Sequence, residues 1–342
     1  MKSAAKLIFI VGAPRSGTTM LERILSAHSL VQGGPEPHLI TPLAHTGIWD
    51  KVEKAPYDHI LAAEAQKLFV SQMSGGEQNY YDACRAYCDV LYSRFLEAKG
   101  TKIYCLDKTP AYALVLPFLS RVYPDASYIV LTRHPLAVFS SFANSFFDGD
   151  YQAAHDYNPV VERYVPALAA FLKEESTPKL HVRYEDLVKD PEQWFEKICN
   201  HIGIPYEAEA INYGDRQDKD QVKGLGDPIG VAKHSRPTTA SVKKWAAELH
   251  GDPSKLALAR KMITALNPDD LALCGYPTDM LWQALENIDE SNFKAPKKSK
   301  LTRYRLQRKL IMFFRRLARK SAVFRNLLKK LRLAADVFLR DE

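Results

Sequence analysis

The chain has 342 residues, of which 46% are hydrophobic and 25% charged, and its formal net charge is +7. This composition is typical of a globular protein that is large enough for one α/β domain with additions. The longest apolar stretches are too short and too interrupted to cross a bilayer, and residues 1–6 lack the apolar core of a signal peptide, so we expect a cytoplasmic protein.

The first predicted element is a buried strand that ends in a glycine loop. Residues 8–19 read IFIVGAPRSGTT, in which the apolar run breaks at Gly12 and two threonines open a helix. From Gly12 through Gly17 the spacing copies the P-loop G-x-x-x-x-G-K-[ST], but Thr18 stands where nucleotide triphosphatases have lysine. Backbone N–H groups and a helix N-terminus converge in such a loop, so we expect it to bind phosphate. With Arg15 as its only cation, the loop favours a phosphate without a metal-bridged triphosphate tail.

The string PRSGTT resembles the 5′-phosphosulfate loop of sulfotransferases that use 3′-phosphoadenylyl sulfate (PAPS). Within that family, the tyrosylprotein and bacterial polyketide-associated groups have the most similar sequence motifs. The resemblance implies an enzyme that transfers a sulfuryl group from PAPS to an acceptor hydroxyl by in-line displacement, with no metal. It assigns six residues to the phosphosulfate loop: Pro14, Arg15, Ser16, Gly17, Thr18 and Thr19.

A candidate catalytic base follows in residues 32–40, which read QGGPEPHLI. Glu36 matches the place of the catalytic glutamate in tyrosylprotein sulfotransferases, and PEPHL is similar to PELHL in the polyketide type. The resemblance implies that Glu36 takes the proton of the acceptor hydroxyl. His38 is the alternative base, because an imidazole titrates near neutrality whereas a carboxylate needs a pKa raised by burial to act efficiently.

Between Pro42 and Gly100 we predict a largely helical insertion that is rich in aromatic residues. We expect part of it to cover the acceptor pocket and most of its rings to pack in the core. These rings belong to Trp49, Tyr57, Phe69, Tyr80, Tyr81, Tyr87, Tyr92 and Phe95.

Two further strand ends carry cations. In CLDKTPAYAL, the segment Asp107–Pro110 resembles the strand-end lysine segment of the family, and Lys108 is expected to stabilise the leaving phosphate together with Arg15. In YIVLTRHPLAVFSSF, a strand ends at Arg133 and Pro135 begins a helix. The resemblance implies that Arg133 and Ser141 bind the 3′-phosphate of PAPS, a role that suits the planar guanidinium fork.

Weaker matches extend the resemblance to about residue 250. VRYEDLVKDPE, residues 182–192, resembles the next strand and its acidic turn, while GLGDP, residues 224–228, falls at a flexible loop of the family. The resemblance places Tyr184 and Lys243 among the cofactor-binding residues, and Lys244 and Trp245 in the helix that closes over the cofactor.

The order of elements predicts an α/β fold with a P-loop-like, mainly parallel sheet flanked by helices. Predicted strands at 7–11, 103–106, 127–132 and 179–183 alternate with helical stretches, which implies right-handed crossovers. Phosphate-binding loops then lie at the carboxyl ends of the strands, so three cations meet at one edge of the sheet. These cations are Arg15, Lys108 and Arg133.

Charge divides the chain into two predicted parts. Residues 291–342 contain 17 Lys and Arg against 3 Asp and Glu, whereas residues 1–290 contain 30 against 37. We therefore predict a sulfotransferase domain over 1–290 and a basic amphipathic helical tail over 291–342, joined near Pro296. The apolar residues of the tail recur every three or four positions, which is typical of a helix that lies on an anionic membrane surface. Docking on an acidic partner or on the protein's own acidic body is the next alternative. Nucleic acid is not expected, because the rest of the chain is acidic and shows no recognition module.

Two other functions compete with sulfuryl transfer. One is a P-loop nucleotide kinase or hydrolase, which Thr18 and the Arg133–Ser141 pair disfavour; the other is a membrane-associated scaffold that has lost its chemistry. The acceptor stays open among a sugar, a lipid, a peptide and an acyl chain. The five cysteines form no CxxC pair and are odd in number, so we expect reduced thiols and no zinc site.

Overall fold

The computed structural model describes residues 6–34, 36–46, 59–98, 100–215, 235–286, 310, 313–314, 317–318 and 320–338. The strands are β1 (Lys6–Gly12), β2 (Val31–Gln32), β3 (Tyr104–Asp107), β4 (Ser127–Thr132) and β5 (Lys179–Arg183). The helices of the first half are α1 (Thr18–Ala27), α2 (Ile40–Ala44), α3 (His59–Ser71), α4 (Glu77–Glu97), α5 (Leu116–Val122), α6 (Pro135–Phe147), α7 (Tyr151–Tyr157) and α8 (Val160–Lys173). Those of the second half are α9 (Tyr184–Lys189), α10 (Pro191–Ile202), α11 (Lys244–His250), α12 (Pro253–Thr264), α13 (Pro268–Leu273), α14 (Gln283–Glu286) and α15 (Ala322–Phe338).

The five strands form one sheet in the order β2-β3-β1-β4-β5, and every pair is parallel. Parallel strands need a crossover between them, which the intervening helices supply. Since β1 lies between β3 and β4, the loops that follow these three strands meet at the same edge of the sheet. This topology confirms the predicted fold class and brings Arg15, Lys108 and Arg133 to that edge.

Helices cover both faces of the sheet. Along β1 the side chains alternate: Phe9 and Val11 belong to the core on one face, Ile8 and Ile10 to the core on the other. A strand that is buried on both faces reads as a continuous apolar run, as this one does. Helices α1 and α10 pack on the second face, while α4–α8 and α11–α13 contribute to the larger core on the first.

The four predicted strands are confirmed within one residue at each end, but β2 was not predicted. Its two residues are too few to show any periodicity, and its place depends on pairing with β3, where Val31 lies opposite Tyr104.

All five cysteines are free and buried. Burial raises the pKa of four of these thiols, those of Cys88, Cys105, Cys199 and Cys274, to about 12.

The predicted insertion contains α3, α4 and the last three residues of α2, which begins just before it at Ile40. Of its aromatic residues, Tyr80, Tyr81 and Tyr92 are buried in the core, whereas Phe69 and Tyr87 are exposed. Trp49 and Tyr57 lie outside the described residues, as do the GLGDP string and the predicted junction at Pro296. None of the helices in the described part of the chain combines the length and apolar character that crossing a membrane requires.

Candidate functional site

The loop between β1 and α1 adopts two left-handed backbone conformations. Arg15 has φ 73° and Gly17 has φ 98°, and the Ser16 N–H donates to the Ala13 carbonyl oxygen at 3.1 Å. Gly17 is the N-cap of α1 and provides no capping side chain. The N–H groups of the first helical turn are therefore not satisfied within the helix, which is the arrangement that binds anions.

Glycine is required at position 17 because of its left-handed backbone and also because a side chain would not fit there. A Cβ placed there would lie 2.5 Å from the ring of Tyr184, the first residue of α9. Close packing of the loop against this ring thus fixes where the N-terminus of α1 lies relative to α9.

The Arg133 side chain is held against residues 14–19, the predicted phosphosulfate loop, here called the phosphate loop. Its Nη1 donates to the Arg15 carbonyl oxygen at 3.0 Å and its Nη2 to the Ser241 carbonyl oxygen at 3.1 Å. The guanidinium also lies 4.3 Å from the ring centroid of Tyr184, whose hydroxyl is 2.8 Å from the Ser241 Oγ. Its Nε–H is buried and has no hydrogen-bond partner among the described residues.

Arg15 and Ser141 also meet at this end of the loop. The Arg15 Nε donates to the Ser141 Oγ at 3.1 Å. Ser141 lies on the second turn of α6, which begins at Pro135 as predicted. The structure therefore brings Arg15, Arg133, Ser141 and Tyr184 into one group.

At the other end of the loop, Lys108 joins the phosphate loop to the candidate base. Its Nζ lies 2.6 Å from Oε1 of Glu36 and donates to Oγ1 of Thr19 at 3.4 Å. The Lys108 side chain is 3% exposed and that of Glu36 is 14% exposed. An ammonium shielded from water in this way exerts a stronger field than one on the surface.

His38, the alternative base, is more exposed than Glu36. Its side chain is 43% exposed, and its Nε2 lies 3.6 Å from Oε2 of Glu36. Its backbone has φ 52°, which residues other than glycine rarely adopt. Two residues later, the N–H of Ile40 donates to the hydroxyl of Tyr112 at 3.1 Å.

A buried carboxylate lies directly before Lys108 in the chain. Asp107 is 1% exposed and accepts hydrogen bonds from the hydroxyls of Tyr92, Thr109 and Tyr112. Burial raises the pKa of Asp107 to about 6, although these three hydrogen bonds counteract the rise.

The remaining predicted residues differ in their surroundings. Pro14 is half-buried, whereas Ser16 and Thr18 are almost fully buried. Ser16 lines a cavity of about 20 Å³ together with apolar residues of α6 and α8, and its hydroxyl is buried without a hydrogen-bond partner among the described residues. Lys243 lines a separate cavity of about 160 Å³, together with Arg183, Glu185 and Trp245.

Sequence reasoning missed Ser241 and did not assign a role to Tyr112 or Tyr92. Ser241 contacts both Arg133 and Tyr184, but its signal, a serine two residues before Lys243, is too weak to identify alone.

Trp245 is buried and its ring stacks on His134 with centroids 4.2 Å apart. Burial lowers the pKa of His134 to about 3, so this imidazole stays neutral near neutral pH.

These contacts place Arg133 and Lys108 against opposite ends of the phosphate loop, where N–H groups of α1 are also exposed to a ligand. Donors of this kind suit phosphate and sulfate oxygens. Within the described ranges, no group of three or more His, Cys, Asp or Glu side chains is arranged to hold a metal ion.

Comparisons with known proteins point to one family. Residues 8–208 match the sulfotransferase family. Nodulation protein NoeE of Sinorhizobium fredii is 27% identical over 266 residues, which make up 71% of this chain and 60% of NoeE. Protein-tyrosine sulfotransferase 1 of Danio rerio is 23% identical over 276 residues, 77% of this chain and 72% of that enzyme. The matched region thus spans less than two thirds of NoeE.

Two solved structures share the fold. The sulfotransferase domain from the curacin biosynthetic pathway has a TM-score of 0.52 and 23% identity, and the match covers 80% of this chain and 98% of that domain. The sulfotransferase domain from the olefin synthase of Synechococcus PCC 7002 has a TM-score of 0.50 and 24% identity, with 80% and 95% covered.

Proposed function

This chain belongs to the sulfotransferase family, and from that premise we propose that it transfers a sulfuryl group from PAPS to the hydroxyl of an acceptor. The observation that carries the proposal is the position of Lys108. Its ammonium contacts Glu36 on one side and Thr19 of the phosphate loop on the other. Lys108 thus lies between Glu36, the proposed proton acceptor, and the phosphate loop, where the leaving group would bind.

The residues around the loop fit the two ends of PAPS. The Arg133 guanidinium, whose Nε–H has no partner among the described residues, suits the 3′-phosphate together with Ser141. The N-terminus of α1, together with Arg15 and Lys108, suits the 5′-phosphosulfate. The ring of Tyr184, already stacked under the Arg133 guanidinium, helps to orient that cation.

Each residue then has a distinct part in catalysis. PAPS supplies an activated sulfuryl group and a phosphate that can leave. Glu36 takes the proton of the acceptor hydroxyl, so that the oxygen can form a bond to sulfur as the bond from sulfur to the phosphate oxygen breaks. Arg15, Lys108 and the N–H groups of α1 stabilise the negative charge that develops on this oxygen, which is electrostatic catalysis without a covalent intermediate.

Nucleotide preference tests the proposal directly. Adenosine 3′,5′-bisphosphate, the desulfated product, should raise the melting temperature in the absence of Mg²⁺, because ligands that bind only the folded state stabilise it. Labelled PAPS incubated with a lipid extract and a glycan mixture from the source cells should then give a labelled product. Stabilisation by Mg-ATP alone would contradict the proposal and favour a nucleotide kinase or hydrolase. Binding of the bisphosphate without any transfer would favour an inactive scaffold.

We also propose that the tail, residues 291–342, binds an anionic membrane surface. Leu327, Leu328 and Leu331 lie on one face of α15 and are 51%, 36% and 58% exposed, and Arg325 and Lys330 are exposed nearby. Phe313 and Phe314 are 59% and 44% exposed. Exposed leucines and aromatic rings beside a strong excess of cations match the chemistry of an interface between acyl chains and anionic head groups. A membrane-bound enzyme would meet acceptors that are lipids or glycolipids.

A further inference from the structure

The buried carboxylate of Asp107 has no part in the function proposed above, yet it lies beside the site. Oδ2 accepts the Tyr92 hydroxyl at 2.6 Å and the Tyr112 hydroxyl at 3.1 Å, while Oδ1 accepts the Thr109 hydroxyl at 3.0 Å. Burying a charge is costly unless it is well hydrogen-bonded, so three donors at one carboxylate indicate a defined arrangement.

The direction of these hydrogen bonds determines which further hydrogen bond the Tyr112 hydroxyl can make. Burial raises the pKa of Asp107 only to about 6, so at neutral pH the group is ionised and can only accept. The hydroxyl hydrogen of Tyr112 therefore points to Asp107, and a lone pair on the same oxygen is free to accept the N–H of Ile40. Ile40 begins α2, and the N-cap residue Leu39 makes no capping hydrogen bond. The Tyr112 hydroxyl takes the place of a cap.

Residues 36–40, here called the Glu36 segment, are thus anchored at both ends. At one end the Glu36 carboxylate contacts Lys108, and at the other the Ile40 N–H contacts Tyr112. Between the anchors His38 adopts the left-handed conformation, which an unrestrained chain would rarely keep. The two anchoring residues, Lys108 and Tyr112, lie one and five positions after Asp107, the last residue of β3.

We propose that Asp107 is a positioning residue for the transfer reaction: acting through Tyr112, it fixes the Glu36 segment so that the Glu36 carboxylate stays against Lys108. The catalytic part of this inference rests on the proposed function, but the structural part does not. Tyr92 provides a matched control, because it donates to the same carboxylate oxygen as Tyr112 and, in the part of the chain that the structure describes, makes no hydrogen bond to the Glu36 segment.

The test compares Tyr112→Phe with Tyr92→Phe in the full-length protein. Each substitution removes one donor from Asp107, but only Tyr112→Phe leaves the Ile40 N–H without its acceptor. Hydrogen exchange of residues 36–40 should become about tenfold faster in Tyr112→Phe than in Tyr92→Phe. The kcat with PAPS should fall about tenfold for Tyr112→Phe and by less for Tyr92→Phe. The KM for PAPS should change by less than about twofold in both variants.

A second variant, Asp107→Asn, keeps the volume of the side chain but replaces one acceptor oxygen with a donor. It should reproduce the faster exchange of residues 36–40. Equal exchange in Tyr112→Phe and Tyr92→Phe would overturn the proposal, and so would equal losses of kcat. If the wild-type protein neither binds adenosine 3′,5′-bisphosphate nor uses PAPS, the proposed function fails, and the exchange comparison still decides whether Tyr112 anchors the segment.

Discussion

At the scale of single residues, Lys108 links the parts of the site. It is nearly inaccessible to water and sits between a carboxylate and the hydroxyl of Thr19. A cation in that position can orient Glu36 before the reaction and stabilise negative charge during it. Glu36 and His38 are close enough to contact each other, so the choice of base needs separate substitutions.

Glu36→Gln should abolish most of the activity and His38→Ala should not. Glutamine keeps the size of the side chain and an oxygen for Lys108, but it cannot take a proton. We expect kcat to fall by about 10²–10⁴-fold for Glu36→Gln and by less than about tenfold for His38→Ala. Steady-state kinetics with PAPS and titration of adenosine 3′,5′-bisphosphate, whose affinity should change little, measure both effects. The reverse order of kcat losses would assign the base to His38.

The raised pKa of Asp107 predicts how the free energy of unfolding depends on pH. Its pKa rises from 3.8 to about 6 on folding, so between these values the folded state binds more protons than the unfolded state. Stability from this group is therefore fully present below pH 3.8 and is lost as the pH rises through 6, by about 3 kcal/mol in all. Denaturant unfolding at several pH values should show that this loss is absent in Asp107→Asn. Parallel pH curves for the two proteins would contradict the raised pKa.

At the scale of elements, the site depends on how helices begin. Helix α1 starts after a glycine, α6 starts at a proline, and α2 starts with its N–H bound to the hydroxyl of Tyr112. Each start follows directly on a loop or segment that carries candidate site residues. The positions of these residues thus follow from backbone geometry as much as from side-chain chemistry.

Gly17→Ala should damage both the fold and the phosphate site. The left-handed backbone is unfavourable for alanine, and the added Cβ would collide with the Tyr184 ring at 2.5 Å. Gly203 provides the control, since it has φ 80° and nothing within 4 Å of an added Cβ. We expect Gly203→Ala to lower the free energy of unfolding by about 1 kcal/mol without affecting nucleotide affinity. Gly17→Ala should lower it further and weaken binding of adenosine 3′,5′-bisphosphate at least about tenfold.

Denaturant unfolding and nucleotide titration distinguish the two glycine variants. Similar results for both would mean that the contact between the loop and Tyr184 is unimportant.

At the scale of the whole molecule, a parallel sheet concentrates cations at one edge while the tail carries a separate excess of positive charge. Residues 1–290 have more acidic than basic side chains, and residues 291–342 have the opposite balance. This division of charge is the basis of our proposal that residues 291–342 bind an anionic surface.

Flotation with vesicles tests the role of the tail. The full chain should float with vesicles of phosphatidylserine and phosphatidylcholine, less so in high salt, and not with phosphatidylcholine alone. A variant that ends at residue 290 should stay in solution. The double substitution Phe313→Ser and Phe314→Ser keeps every charge but should reduce flotation, because it removes exposed rings.

Failure of the full chain to float would contradict membrane binding. Capture of a 291–342 peptide by the 1–290 variant would instead indicate docking on the acidic body.

The sequence alone determined the parallel α/β fold, the strands β1, β3, β4 and β5, and the cations at their ends. These features depend on local signals, namely apolar runs of strand length, glycine and proline at element boundaries, and a glycine loop with P-loop spacing. The resemblance carried by PRSGTT also indicated the family, which the match over residues 8–208 confirmed.

Which of these residues contact one another became known from the folded arrangement of the chain. The contacts of Ser241 with Arg133, of Glu36 with Lys108 and of Tyr112 with Ile40 join residues that are 108, 72 and 72 positions apart. No periodicity in the chain encodes such pairs, because they arise where separate loops converge at the sheet edge. The short strand β2 has the same origin, since its two residues acquire their structure from β3 and not from their own sequence.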